Sequence, residues 1–198
     1  MVAAMRTTSR QCHCDACRVT RQRVRRVLYP ADIAHAEVIA RARMQETVTE
    51  WGYMPAHGAT AHSDRALQLH ILGAQGEVVI ANYLGYTAEK GIFGGTDVGP
   101  YQVRTRSNIY YDLILHASDA DDAVFILVLG PIDRPRPKGT LCFLVAGWCE
   151  GAAGKNRLYW NDPAGGRPAY FVPQRVLRPM QELPEVRELQ RVRQESKR

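Results

Sequence analysis

Long apolar runs are missing from this chain of 198 residues: none approaches the eighteen or so apolar residues of a membrane span, so the expectation is a soluble protein with no membrane partner. Met1 to Ser9 lack an apolar segment of secretory type, which makes the cytoplasm the expected compartment. There is no internal repeat and no low-complexity tract, and the length suits one well-buried core with appended tails. Cysteine is scarce at five residues; three of them crowd into Cys12-His13-Cys14-Asp15-Ala16-Cys17, and no second Cys-x-x-Cys follows. Lysine is nearly absent from the body of the chain, where only Lys90, Lys138 and Lys155 occur.

What is present instead of lysine is arginine, concentrated at the two ends. The formal charge is +6 overall. Residues 1–26 alone carry Arg6, Arg10, Arg18, Arg21, Arg23, Arg25 and Arg26 against the single Asp15, and residues 187–198 add a net +3, so the body between is mildly acidic. A basic arm is the usual footprint of contact with a phosphate backbone, although solvated tails share that composition. Arg21, Arg23, Arg25 and Arg26 are the arm's candidate nucleic-acid contacts.

The expected organisation is a basic arm over 1–29, an α/β domain over 30–180 and a charged helix or tail over 181–198. Ala31 to about Trp51 has helical apolar spacing without internal Gly or Pro, and a second helix runs from an N-cap at Ser63 or Asp64 to Leu84, where Gly85 ends it. A glycine-rich turn over 91–99 follows. Strands are expected over Tyr101–Arg106, Ile109–His116, Ala123–Leu129, Thr140–Trp148 and Ala169–Val172, with a turn over 118–122, a proline-rich loop over 131–139 and a loop over 151–166. That order implies a mixed central sheet flanked by helices.

Chemistry is concentrated in the middle of this layout. On the second helix Gly73, Ala74, Glu77, Ala81 and Leu84 share one face, so Glu77 is drawn toward the interior beside small residues that permit close approach to a sheet. Asp97 closes the glycine-rich turn, and Gln102, Arg104 and Arg106 follow on one face of the next strand, with Val103 and Thr105 on the other. If the helix packs on the polar face, Glu77, Asp97, Gln102 and Arg104 meet. Two carboxylates and an amide oxygen are the donor set of a hard cation such as Mg²⁺. The plainer alternatives are a Glu at the edge of an apolar stripe and a turn-forming Asp.

The string Gly76-Glu77 in a helix, then Asp97, then Gln102-Val103-Arg104-Thr105 on a strand, resembles the PD-(D/E)xK, or restriction-endonuclease-like, nuclease superfamily; the wider sequence also looks similar to small uncharacterised proteins of tailed bacteriophages. The resemblance covers roughly Ala66 to Val128. It implies a restriction-endonuclease-like core and hydrolysis of DNA phosphodiester bonds, endo- or exonucleolytic, with Mg²⁺ or Mn²⁺ on Glu77 and Asp97 and with Gln102 and Arg104 completing the catalytic set. It also implies DNA as partner, with Arg106 as a further phosphate contact, and the host cytoplasm as the setting for a phage-encoded chain. Oligomeric state is left open, a dimer included.

Two departures from the pattern bear on activity. Gln102 stands where an acidic residue is commoner, at the cost of one negative charge. Arg104 stands in place of lysine, and arginine, with a pKa above about 12, does not readily exchange a proton. The competing reading is therefore a catalytically inactive accessory protein, binding nucleic acid or protein on a retained nuclease fold. Lys90, Lys138 or Lys155 would have to migrate in space to replace the lysine, and His62 is near enough in sequence to approach the acidic cluster. Outside this constellation, Cys14 and Cys17 are the first choices for Zn²⁺, a weaker expectation than a reduced arm. Cys142 and Cys149 read as buried hydrophobes, Trp148 as a packing anchor, and one of Tyr110 and Tyr111 as core.

Overall fold

A computed structural model describes residues 23–50, 64–88, 95–163 and 165–195. The Cys12–Cys17 cluster, Arg21, His62, Lys90 and residues 91–94 of the glycine-rich turn lie outside the described residues. Within them the chain is a mixed α/β structure. Strand β1 (Val24–Leu28) leads into helix α1 (Pro30–Glu50), and helix α2 (Asp64–Leu84) follows. Strands β2 (Tyr101–Arg106), β3 (Leu113–Leu115), β4 (Val124–Leu129) and β5 (Leu141–Glu150) come next, then the one-turn helix α3 (Gly151–Gly154), strands β6 (Trp160–Asn161) and β7 (Ala169–Val172), and helix α4 (Pro184–Glu195).

The main sheet has the order β1-β5-β4-β2, with β2 parallel to β4 and the other pairs antiparallel. A smaller antiparallel sheet has the order β3-β7-β6. Strand β4 is buried on both faces, which explains its unbroken apolar sequence. Its Ile126 and Val128 pack with Ala36 and Ile39 of α1, Val78 to Ala81 of α2 and Val186 of α4. Its Phe125, Leu127 and Leu129 pack with Leu113, Leu115 and Val172 of the small sheet. One face of the main sheet is thus covered by helices and the other by the small sheet.

Local signals account for most element boundaries. Helix α2 stops where Gly85 adopts a positive φ of 80° and its N–H donates to the Ala81 carbonyl. Four expectations are corrected. The stretch Val24–Leu28, assigned to the basic arm, is an edge strand of the main sheet in register with Leu141–Val145. The strand expected over 109–116 shrinks to Leu113–Leu115, because Asn108 accepts from the Tyr110 N–H and its carbonyl from the Tyr111 N–H, folding that segment into a turn. Tyr110 and Tyr111 are both exposed there, so neither is core. The loop over 151–166 contains α3, a 3-10 turn at Arg157–Tyr159 and β6.

Candidate functional site

Alternation on β2 separates its residues as expected, but helix α2 packs on the opposite face from the one that would gather the whole motif. Tyr101 and Val103 belong to the helix-side core, and Thr105 lies against Gly76 of α2 so closely that a Cβ there would come within 1.8 Å of its Oγ1. The apolar face has to meet the helix, so Gln102, Arg104 and Arg106 turn the other way. The Arg104 guanidinium lies 5.2 Å from the Phe125 ring centroid and Arg106 lies 4.7 Å from that of Tyr111, both on the small-sheet side. The four motif residues therefore approach the outer strand β2 from two faces rather than converging from one.

Beside that strand Glu77 is buried, with 6% of its side chain exposed, and its two oxygens each accept from one terminal nitrogen of Arg43 at 2.5 and 2.6 Å. Arg43 comes from the second half of α1, 34 residues earlier. Burial pushes the Glu77 carboxyl above its usual range, against the pull of the Arg43 bond and charge, and the nearby Asp97 charge pushes it further up. Burial is the largest influence on Arg43 and opposes its charge, but the bond to Glu77 and the charges of Glu77, Asp97 and Glu46 together outweigh it, leaving that guanidinium held more firmly protonated than usual. We take the pair as fully ionised, because a two-point fork to a carboxylate requires both charges.

Asp97 sits in a tight hairpin in which its own N–H and that of Val98 donate to the Tyr101 carbonyl. Its Oδ2 accepts from the Val103 N–H at 2.7 Å and lies 3.9 Å from Arg104 Nη1. This is the turn-forming role that the sequence offers for it. Burial raises its pKa, while the Val103 N–H, Arg104 and Arg43 lower it in turn and Asp119 raises it. Gln102 donates to the Gly95 carbonyl at 2.9 Å and accepts from Arg104 at 3.3 Å.

Arg104 makes its shortest bond, 3.0 Å, to Asp119 Oδ1. Asp119, read from sequence only as part of a turn, also accepts from the His116 N–H at 2.8 Å, and its carbonyl accepts from Lys155, which bonds the Ala117 carbonyl and Asp121 as well. Lys155 has thus come next to Asp119, committed to holding the Ala117–Asp121 turn. Lys138 lies in the proline-rich β4–β5 connection, with Asp133 to Leu141 around a surface cavity of about 720 Å³. Gly76, next to Glu77, packs on Thr105 and Asp97 accepts from the Val103 N–H, so the carboxylates line the outer strand β2 along its length.

The donor set fits a divalent cation poorly. Both oxygens of Glu77 are taken by Arg43, one of Asp97 is taken by a backbone N–H, and the Gln102 oxygen faces Arg104. Among the described residues no group of three or more His, Cys, Asp or Glu side chains comes together as metal ligands.

The basic residues offered as phosphate contacts are largely engaged in the fold. Arg23 donates to Gln174, Arg25 to Cys142 Sγ and the Pro135 carbonyl, and Arg26 lies over the Tyr83 ring. Arg106 is half-buried over Tyr111 and its pKa is lowered by that burial. Cys142 and Cys149 are buried free thiols, as expected, and burial pushes Cys149 up to about 12. Trp148 is buried with its indole N–H on the Pro179 carbonyl at 3.1 Å. Among the described residues no helix is long and apolar enough to cross a membrane.

Arg43 and Asp119 are the members of this cluster that sequence reasoning missed, since neither lies in the motif and their partners are 34 and 15 residues away. No protein-family model, curated protein or solved structure matches this chain.

Proposed function

We propose that this chain is a nucleic-acid-binding protein on a restriction-endonuclease-like core, in which arginines take the place of the catalytic cation. The observation that carries this reading is the two-point clamp of Arg43 on Glu77, with Arg104 set between Asp97 and Asp119. Two guanidinium groups already neutralise most of the negative charge that would draw a metal ion, and arginine at position 104 offers hydrogen bonds without exchanging a proton. Retained affinity for nucleic acid is supported by the resemblance and by the basic ends of the chain.

A second reading, a divergent Mg²⁺-dependent nuclease, is favoured by one feature: Glu77 and Asp97 are both raised by burial, and the Asp97 charge raises Glu77 further, a repulsion that a shared cation would relieve. It requires Arg43 to leave Glu77. The test is cleavage and binding of labelled single- and double-stranded DNA with Mg²⁺ or Mn²⁺, comparing wild type, Asp97→Ala and Arg104→Lys. Binding without cleavage by wild type is the expected result. Cleavage by wild type that disappears in Asp97→Ala would establish the nuclease instead.

A further inference from the structure

The turn that follows β5 exposes side chains that a folded protein usually covers. After α3, the Asn156 side chain accepts from the Leu158 N–H at 2.9 Å and caps the 3-10 turn Arg157–Tyr159, which holds Leu158 at 86% exposure. Trp160 then pairs with Tyr170 across the β6–β7 ladder. Its ring meets the Tyr170 ring edge-on, centroids 4.7 Å apart, and stays 43% exposed. Trp160 is thus braced from one side and open on another.

The charge around this rim has one sign. Residues 151–178 contain Lys155, Arg157, Arg167, Arg175 and Arg178 against Asp162 alone. Asp162 is turned in on its own loop, accepting from the Gly166 and Arg167 N–H groups at 2.6 and 3.1 Å. Lys155 is committed to the Ala117–Asp121 turn, and Arg178 pairs with Glu150 and Glu182 while lying over Trp148. Arg157 and Arg167 are exposed and have no ion-pair partner among the described residues. They flank Trp160, one in the turn that enters β6 and the other in the loop that leaves it.

We propose that single-stranded nucleic acid binds across this rim, with a base stacked on Trp160 and its neighbouring phosphates on Arg157 and Arg167. An exposed aromatic ring on a strand whose entering turn and leaving loop each carry an exposed arginine, without an ion-pair partner among the described residues, suits the alternation of base and phosphate along a single strand, and every base offers a π-face, so binding is tolerant of sequence. An acidic peptide would satisfy the arginines and leave the indole unused. The rim adjoins the Arg104–Asp119 cluster, because Lys155, two residues before Arg157, donates to the Asp119 carbonyl. This inference rests on the nucleic-acid-binding reading above and names the form of nucleic acid and the surface that takes it.

The test is fluorescence anisotropy at low salt with the full chain, using labelled oligo(dT) and oligo(U) of about 16 nucleotides, a labelled DNA duplex, and polyglutamate as competitor. Trp160→Ala is expected to weaken binding of both single strands about tenfold, and Trp160→Phe to restore most of it. The pair Arg157→Glu with Arg167→Glu should weaken binding and flatten its salt dependence. Arg157 and Arg167 are exposed, so the thermal melt of that pair should be unchanged, and Trp160→Phe, which keeps an aromatic ring against Tyr170, controls for any packing lost in Trp160→Ala. Single-strand affinity that is unaltered in Trp160→Ala, or polyglutamate competing as well as oligo(dT), overturns the inference while leaving nucleic-acid binding in place. If wild type binds neither single strands nor duplex, the broader reading fails as well.

Discussion

Glu77 is the residue on which the account turns, because a carboxylate with so little exposure must be compensated and the choice of compensator decides the chemistry. Here the compensator is Arg43. A buried ion pair adds little net stability over well-packed apolar residues, but removing one partner strands the other charge. Arg43→Met alone should therefore cost about 3 kcal/mol in urea unfolding, while adding Glu77→Leu should recover most of that loss. If Arg43→Met changes stability by less than about 1 kcal/mol, Glu77 has another partner and the clamp is not what holds it. Neither residue announces the pairing in sequence. Glu77 reads as a helix-face carboxylate, and Arg43 stands two residues from Arg41, which pairs instead with Glu37 on the solvent side of the same helix.

At the scale of elements, the close approach of α2 to β2 positions Glu77 beside the outer strand of the sheet, and Gly76 is what permits it. A Cβ at Gly76 would collide with Thr105, whereas at Gly73, one turn earlier, a Cβ would meet nothing within 4 Å. Gly76→Ala should destabilise by about 2 kcal/mol through overpacking, and Gly73→Ala should stabilise by about 0.5 to 1 kcal/mol through helix propensity. Thermal melts that shift in the same direction for both would contradict this packing. The helices and most strands were legible because their signals are local: Gly85 ends α2, and the unbroken apolar run of β4 marks a strand buried on both faces. Strand β1 was not, because Arg25 and Arg26 interrupt its apolar residues and its place is set by pairing with β5 more than a hundred residues away. The face of β2 that meets the helix was also undecided in sequence, since it depends on which side of the sheet the helices cover.

For the whole molecule, the positive charge sits at the chain ends and along the turn after β5, while the carboxylates gather beside the outer strand of the main sheet with the arginines that neutralise them. That distribution suits holding a polyanion better than drawing in a free cation. The motif was legible as a set of residues, yet its electrostatic state was not, because Arg43 and Asp119 enter it only through folding. The most direct measurement is a titration of the full chain with Mn²⁺ followed by electron paramagnetic resonance, which counts free ion. With arginines holding Glu77, Asp97 and Asp119, no stoichiometric binding is expected at micromolar Mn²⁺. One bound Mn²⁺ per chain, lost in Asp97→Ala, would contradict the account and make this cluster a metal centre.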